Sequence, residues 1–225
     1  MRPRGGNTHL FNTPPPSFGR GAGTEQAGSR QGTSEIRKDI VGDQPLITEV
    51  ISRWPALLHE RQIRAEFRRI VTVDLLESFL EGLDGLVPRL LDVYKAATKS
   101  GKKQSLKDIL DCLVGDAHAE NLDEAMKGMQ LGILIGYQGG EQAAIPHEIF
   151  SVAVVVEETI VLHNIKDVAH GFAMLMGVIY CVNLEYPDAM KYSFEFLQRV
   201  VMKVKPEQAS ARVHGLRNRI LRYKL

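Results

Sequence analysis

The strongest constraint on this chain is an uninterrupted apolar run, Phe172–Val182, with the sequence FAMLMGVIYCV. A helix that is apolar on every side must be buried in a protein core or in a bilayer. A bilayer span needs about 20 apolar residues, and here His170 precedes the run while Asn183 and Glu185 follow it. The run therefore predicts a helix at the centre of a globular core, with Asp167 as its N-cap.

A Tyr186-Pro187 break separates this helix from an amphipathic one, and Pro187 suits the first helical turn. Apolar residues then recur at helical spacing and predict a buried stripe, which Pro206 ends. The stripe comprises Met190, Phe194, Leu197, Val201 and Val204. A last helix is predicted over about residues 207–223.

The N-terminal part of the chain differs in composition from the rest. Residues 1–44 contain eight glycines, three consecutive prolines and many small polar residues. Such a segment cannot bury enough apolar surface to offset the entropy of ordering. We therefore predict a disordered tail over residues 1–44 and one domain over residues 45–225.

Helical patterns dominate the first half of that domain. A short helix should end before Pro55, and residues 56–69 are amphipathic. Asp74 is a candidate N-cap of a third helix, in which Pro88 predicts a kink or a division into two helices. Further short helices are predicted over 106–113 and 122–129.

The period changes between residues 130 and 163. Leu131, Ile133 and Ile135 alternate with Gly132, Leu134 and Gly136 until Gly139-Gly140, which predicts a strand and a turn. Residues 151–162 are rich in Val and Ile and favour strand. They form either one long strand or a hairpin that turns at Glu157-Glu158. The predicted fold class is α+β, a mainly helical single domain with a small two- or three-stranded sheet.

Charge and cysteine content limit the classes of function. The net charge of +1 gives no chain-wide attraction to nucleic acid, membranes or acidic substrates. The two cysteines, Cys112 and Cys181, lie among aliphatic residues and form no Cys-x-x-Cys motif, which is typical of buried thiols in a reducing compartment. No signal peptide pattern is visible. We expect a soluble, intracellular protein that does not associate with a membrane.

The carboxylates and histidines do not form a recognisable catalytic pattern. Glu157 and Glu158 are adjacent, so on a strand they would point to opposite faces. His170 and Cys181 are eleven residues apart, about three helical turns, which excludes a nucleophilic pair within one helix; His163 remains a partner for Cys181 on paper. The seven histidines have no zinc spacing: His9, His59, His118, His147, His163, His170 and His214.

A glycine-containing segment, residues 136–140, follows the first predicted strand but has no Gly-Lys-Ser/Thr ending and no dinucleotide spacing. We interpret it as a turn. We therefore expect no catalytic residues, no cofactor and no metal, and the sequence leaves the binding residues unknown.

Two local features point to binding. Residues 203–225 contain seven Lys or Arg and one acidic residue, a net charge of 7 − 1 = +6. Arg212, Arg219 and Arg222 could share one side of the last helix and neutralise phosphates, although a solvated helix has the same pattern. Methionines also cluster in the apolar region and adapt to irregular surfaces, although they commonly fill cores: Met174, Met176, Met190 and Met202.

The sequence resembles the C-terminal region of uncharacterised proteins, chiefly from fish, that are called sterile alpha motif domain-containing protein 3-like. The similarity spans roughly residues 45–225. The most specific pieces are residues 176–187 (MGVIYCVNLEYP) and residues 191–195 (KYSFE), and others match at 53–57, 66–70, 131–134 and 154–158. The family often carries an upstream sterile alpha motif interaction domain. We expect no such domain before residue 45, so its adaptor role does not carry over. The resemblance implies no catalytic residues.

Together these patterns predict a non-enzymatic interaction domain whose partner is an unidentified protein or a second copy of the chain. The alternative function is nucleic-acid binding through the basic C-terminal helix. The third alternative is an enzyme with an unrecognised site.

Overall fold

The computed structural model describes the backbone of residues 29–99, 114–116, 122–138 and 148–222. Eight α-helices and four strands lie in these ranges. The helices are α1 Ser29–Asp43, α2 Ile47–Arg53, α3 Glu60–Val71, α4 Leu75–Lys99, α5 Leu122–Met126, α6 Val168–Cys181, α7 Lys191–Phe196 and α8 Ala211–Arg222. The strands are β1 Val114–Asp116, β2 Leu131–Gln138, β3 Glu148–Val156 and β4 Thr159–Leu162.

The apolar run forms α6, which lies at the centre of the core as predicted. Nine of its residues, among them Leu175, are buried. Asp167 caps the helix by accepting a hydrogen bond from the His170 N–H at 2.8 Å. α6 packs on α3 and α4 on one side and on β2 and β3 on the other. A Cβ at Gly177 would lie 2.5 Å from both Ile63 and Leu75, so glycine allows these helices to approach closely.

The sheet has the order β1-β2-β3-β4. The three strands between residues 130 and 163 are antiparallel, which confirms the small sheet and the α+β class. β1 adds a fourth, parallel strand that the sequence analysis did not predict, with Val114 opposite Ile133. A three-residue segment is too short to show the alternation of apolar and polar residues that predicts a strand. β1 is a strand because β2 supplies its hydrogen-bonding partners.

The two faces of the sheet are both covered. Ile133 and Val154 belong to the main core beneath α6. Leu134 and Val155 lie on the opposite face and are buried in a second, smaller cluster with Met126 of α5. Burial on both faces accounts for the near-continuous Val and Ile in β3.

Residues 151–162 form a hairpin, which decides between the two alternatives. Glu157 and Glu158 make the turn with φ values of 49° and 57°. Positive φ at both central residues is the geometry of a type I′ turn, which normally contains Asn or Gly. The glutamates are held there by tertiary contacts described below.

The predicted boundary of the domain at residue 45 lies too late in the chain. Residues 29–43 form α1, and its Ile40 is 1% exposed in the main core. The composition of residues 1–44 concealed this helix because few apolar residues anchor it. The part of the predicted tail before residue 29 lies outside the described residues.

Other predicted boundaries also require correction. α4 continues through Pro88 as one helix and is therefore not divided into two, and Leu83 and Leu86 on the preceding turns pack against the core. α7 begins at Lys191, not at Pro187, whose carbonyl instead accepts a hydrogen bond from Met190 in a turn. α7 continues as a π-helix over Leu197–Val201. The helix predicted over 106–113 and the Gly139-Gly140 turn lie outside the described residues.

Candidate functional site

α3 separates its side chains into a buried face and a basic face. Ile63 and Phe67 are fully buried on the inner side of the helix, next to α6. Three arginines at positions i, i+3 and i+7 project from the opposite side, because these spacings return to the same helical face. They line a groove of about 520 Å³, hereafter the α3 groove. Its lining residues are Glu60, Arg61, Arg64, Ala65, Arg68 and Asp74.

The two carboxylates in the α3 groove are already engaged. Asp74 Oδ2 lies 3.5 Å from Arg64 Nη2, and its Oδ1 accepts the N–H groups that begin α4. Partial burial raises the pKa of the Asp74 carboxyl, but these hydrogen bonds and the Arg64 charge outweigh burial, so the pKa is lowered. Glu60 Oε1 lies 3.1 Å from His170 Nε2 of α6.

Two of the three arginines keep their donors open. Arg61 and Arg68 are exposed, and neither has an ion-pair or hydrogen-bonding side-chain partner within the described ranges. Ala65 lies between them, is exposed and contributes only a methyl group to the lining. An open guanidinium presents five N–H donors that match a carboxylate in two parallel hydrogen bonds. The α3 groove can therefore bind anionic side chains.

The sequence analysis recognised the amphipathic pattern of this helix but did not single out its arginines. The available signal was their regular spacing opposite Ile63 and Phe67. This signal alone does not separate a site from a solvated charged face, because the pairing of Arg64 with Asp74 is visible only in three dimensions.

The adjacent glutamates of the hairpin turn serve as structural acceptors. Glu157 Oε2 accepts the Ile47 N–H at 2.8 Å, at the first turn of α2. Glu158 Oε1 accepts the Gly128 N–H at 2.7 Å, after α5. Each carboxylate therefore satisfies a backbone donor of a different segment, which compensates for two residues held at positive φ. The two carboxylates do not converge on a shared site.

The thiol of Cys181 is buried and points into the protein. Its Sγ lies 3.5 Å from the Ile63 carbonyl oxygen, which accepts a hydrogen bond from the thiol. Burial, followed by the charge of Glu66, raises the pKa of Cys181 to about 12. A thiol that remains protonated at neutral pH is a poor nucleophile. Cys112 lies outside the described residues.

Glu66 is the buried carboxylate beside this thiol, with a side chain 5% exposed. Arg69 binds it with two hydrogen bonds of 2.8 and 2.6 Å, which raise the pKa of Arg69. Arg37 of α1 lies 3.9 Å from the same carboxylate and donates to the Tyr180 carbonyl at the end of α6. The cluster ties α1, α3 and α6 together.

The histidines of the described chain have different surroundings. His59 precedes α3, His163 contacts Asn164, and His214 lies on the exposed side of α8. His170 binds Glu60 and therefore does not approach Cys181. His9, His118 and His147 lie outside the described residues. Among the residues that the structure describes, no group of three His, Cys, Asp or Glu could hold a metal ion.

α8 places its charges as the helical spacing predicts. Val213 and Ile220 are buried, and Arg212, Arg219 and Arg222 are exposed on a flank of the same helix. The Arg212 guanidinium lies 4.4 Å from the centre of the Tyr192 ring, a cation–π contact. Arg212 is therefore partly committed to α7, and Arg219 and Arg222 remain the outermost cations of this stripe.

The methionine cluster belongs to the core. Met174 and Met176 are fully buried, and Met190 and Met202 are at most 7% exposed. These side chains fill the space around α6 and do not form a binding surface, so they give no support to a docking role.

Within the described part of the chain, no helix is both long and apolar enough to cross a membrane. Comparisons of this chain with protein-family models, curated proteins and solved structures found no match.

Proposed function

We propose that this chain is a non-enzymatic, intracellular domain that binds another protein. The observation that carries the proposal is the α3 groove, in which two exposed arginines keep open donors on a rigid helix. The inner side of that helix is packed against the centre of the core, so the groove lies on a preformed backbone. Preformed surfaces bind with a smaller entropic penalty than surfaces that must be ordered.

The carboxylates that could have been catalytic groups instead stabilise the fold, which favours binding over catalysis. Glu157 and Glu158 hold segments around the hairpin, and Glu66 holds α1 and α3. Burial raises the pKa of the Tyr186 hydroxyl, which stays protonated beside the stacked ring of Phe194. An enzyme with an unrecognised site is the third alternative, and turnover in a broad substrate screen would establish it.

The resemblance to sterile alpha motif domain-containing protein 3-like proteins supports the same proposal. That family combines this type of region with an interaction domain. A region of this kind is suited to contribute a second binding surface, either for a different protein or for another copy of itself.

Nucleic-acid binding through α8 is the alternative function. It is favoured by Arg219 and Arg222, which are exposed. Both lie within residues 203–225, where seven Lys or Arg accompany one acidic residue. Such a contact would weaken steeply with salt, because affinity for nucleic acids depends on counterion release.

Proximity labelling in cells, followed by mass spectrometry, tests the main proposal when it is combined with reconstitution of each candidate complex. We expect at least one labelled protein to form a direct complex with the purified full-length chain, or the chain to self-associate in sedimentation. An unrelated domain with the same tag is the control for labelling.

Electrophoretic mobility shifts at low and moderate salt test the alternative. Tight binding of an oligonucleotide that weakens as salt is raised, and that is lost on replacing Arg217, Arg219 and Arg222 with Glu while the fold persists, would overturn the main proposal. Weak binding that the same replacement leaves unchanged would instead reflect non-specific attraction and would exclude the α8 alternative.

A further inference from the structure

We propose that the α3 groove binds an acidic segment of a partner protein, with one carboxylate on Arg61 and one on Arg68. This inference rests on the proposed function and adds the place of binding and the chemistry of the partner. It follows from the charge, the spacing and the flanking groups of the groove.

Some charged side chains of the groove have partners among the described residues, and two arginines do not. Arg64 and Asp74 are within 3.5 Å of each other, and Glu60 is held by His170. These contacts leave Arg61 and Arg68 as the exposed cations of the groove without an ion-pair partner in the described part of the chain. Two open guanidinium groups on one helix face favour a ligand with two separate anionic groups.

The spacing of these two arginines sets the spacing of the ligand's charges. Seven residues along an α-helix correspond to a rise of about 10.5 Å. A peptide in the polyproline II conformation has three residues per turn and advances about 3.1 Å per residue, so acidic side chains three positions apart lie on one face, about 9 Å apart. The small side chain of Ala65 lets the peptide backbone cross between the two contacts. The preferred segment therefore adopts the polyproline II conformation and has acidic residues at positions i and i+3.

The flanking carboxylates favour a peptide over a nucleic acid. Glu60 and Asp74 lie on the lining of the groove beside the open arginines. A continuous phosphate backbone would be repelled where it passed them, whereas a peptide can place neutral residues at those points. Two open arginines can also neutralise only two phosphates, which gives a small counterion-release contribution to affinity.

Nuclear magnetic resonance titration of the full-length chain tests the inference. The probe is a synthetic ten-residue peptide with two glutamates three positions apart in a Ser/Gly background. The control peptide has the same composition with the two glutamates adjacent. We expect the side-chain Nε–H signals of Arg61 and Arg68 to shift, with a Kd at least threefold lower for the first peptide.

Matched charge reversals locate the binding site. The double substitution Arg61→Glu and Arg68→Glu should weaken binding at least tenfold. The double substitution Arg219→Glu and Arg222→Glu on α8 changes the net charge equally and should alter Kd less than twofold. All four positions are exposed, and circular dichroism checks that the variants remain folded.

A third variant places the competing charge inside the groove. In Ala65→Glu, the new carboxylate lies four residues after Arg61 and three before Arg68, where helical neighbours form ion pairs. We expect this variant to bind the peptide at least fivefold more weakly and to melt at the same or a higher temperature. Loss of binding therefore cannot be attributed to unfolding.

The possible failures are distinguishable. Equal loss of binding in both double variants, no shift at millimolar peptide, or tighter binding of an oligonucleotide to Arg61 and Arg68 would overturn the groove assignment. A reconstituted protein complex that is unaffected by Arg61→Glu and Arg68→Glu would overturn it while leaving the proposed function intact. Absence of any protein complex would contradict the proposed function itself.

Discussion

Two glycines of α4, only three residues apart, have opposite surroundings. A Cβ added at Gly82 would lie 1.9 Å from the carbonyl oxygen of Val201 in the π-helix. A Cβ added at Gly85 would meet nothing within 4 Å among the described residues. The first glycine therefore allows two backbones to touch, and the second only adds conformational freedom to a helix.

Alanine at these two positions should change stability in opposite directions. Gly82→Ala forces the backbones of α4 and the π-helix apart and should lower the free energy of unfolding by about 3 kcal/mol. Gly85→Ala should raise it by about 0.5–1 kcal/mol, because alanine favours helix over glycine. Urea unfolding of the two variants beside the unmodified protein measures both effects. A similar change in both variants would show that α4 and the π-helix are not in contact as described.

At the scale of the element, the ends of the helices depend on acidic side chains. α4 begins after Asp74, whose Oδ1 accepts the N–H groups of Leu76 and Glu77, both at 3.1 Å. α2 has no cap of its own, since Leu46 occupies the N-cap position, and Glu157 supplies the missing acceptor from the hairpin. The first cap is local and visible in the sequence, and the second is tertiary.

The cap of α4 should make stability dependent on pH. The folded-state pKa of Asp74 is lowered from its ordinary value of 3.8, so its charge stabilises the fold above that pH, and the contribution is lost as pH falls through the folded pKa. Asp74→Asn keeps an acceptor but has no charge. We expect the unmodified protein to exceed this variant by about 0.5 kcal/mol at neutral pH.

Urea titrations of both proteins in steps from neutral pH to about pH 2.5 follow this difference. It should be constant above pH 3.8 and shrink toward zero below it. A difference that persists unchanged in acid would mean that the Asp74 charge does not contribute.

The tertiary cap of α2 can be removed by one substitution. Glu157→Ala leaves the Ile47 N–H without its acceptor and keeps an L-residue at positive φ, so unfolding free energy should fall by about 1 kcal/mol. Glu185→Ala is the control. Glu185 is exposed and lines the same surface cleft as Glu157, and its replacement should change the unfolding free energy by less than about 0.5 kcal/mol. Thermal and urea unfolding compare the two. Equal stability of the variants would contradict a capping role for Glu157.

At the scale of the whole molecule, α1 belongs to the domain, although its composition predicted a tail. Ile40 is 1% exposed, and Arg37 contacts Glu66 of α3 and the end of α6. The neighbouring Val41 is 44% exposed, so adjacent residues of one helix separate into a core anchor and a surface residue.

Adjacent alanine substitutions test whether α1 is docked. Ile40→Ala should lower the unfolding free energy by about 3 kcal/mol, because it leaves a cavity in the core. Val41→Ala, which removes a similar apolar side chain from the surface, should cost less than about 1 kcal/mol. Chemical denaturation gives both values. If the two substitutions have equally small effects, α1 is not part of the folded domain.

The amino-acid sequence alone determined the features that arise from local patterns. The buried helix α6 follows from eleven consecutive apolar residues, the Asp74 and Asp167 caps from their position before helices, and β2 from alternation. Each of these depends on residues within about three turns or one strand of one another, so the cause lies in the printed sequence.

Only the tertiary structure decided the features that depend on contacts between distant segments. Glu157 and Glu158 form a turn that their side chains disfavour, because Ile47 and Gly128 donate to them across 110 and 30 residues. In the α3 groove, Arg64 is paired with Asp74 while Arg61 and Arg68 stay open, although all three arginines have the same spacing pattern in the sequence. Hydrogen bonds and charges act through space, and the folded chain determines which groups are neighbours.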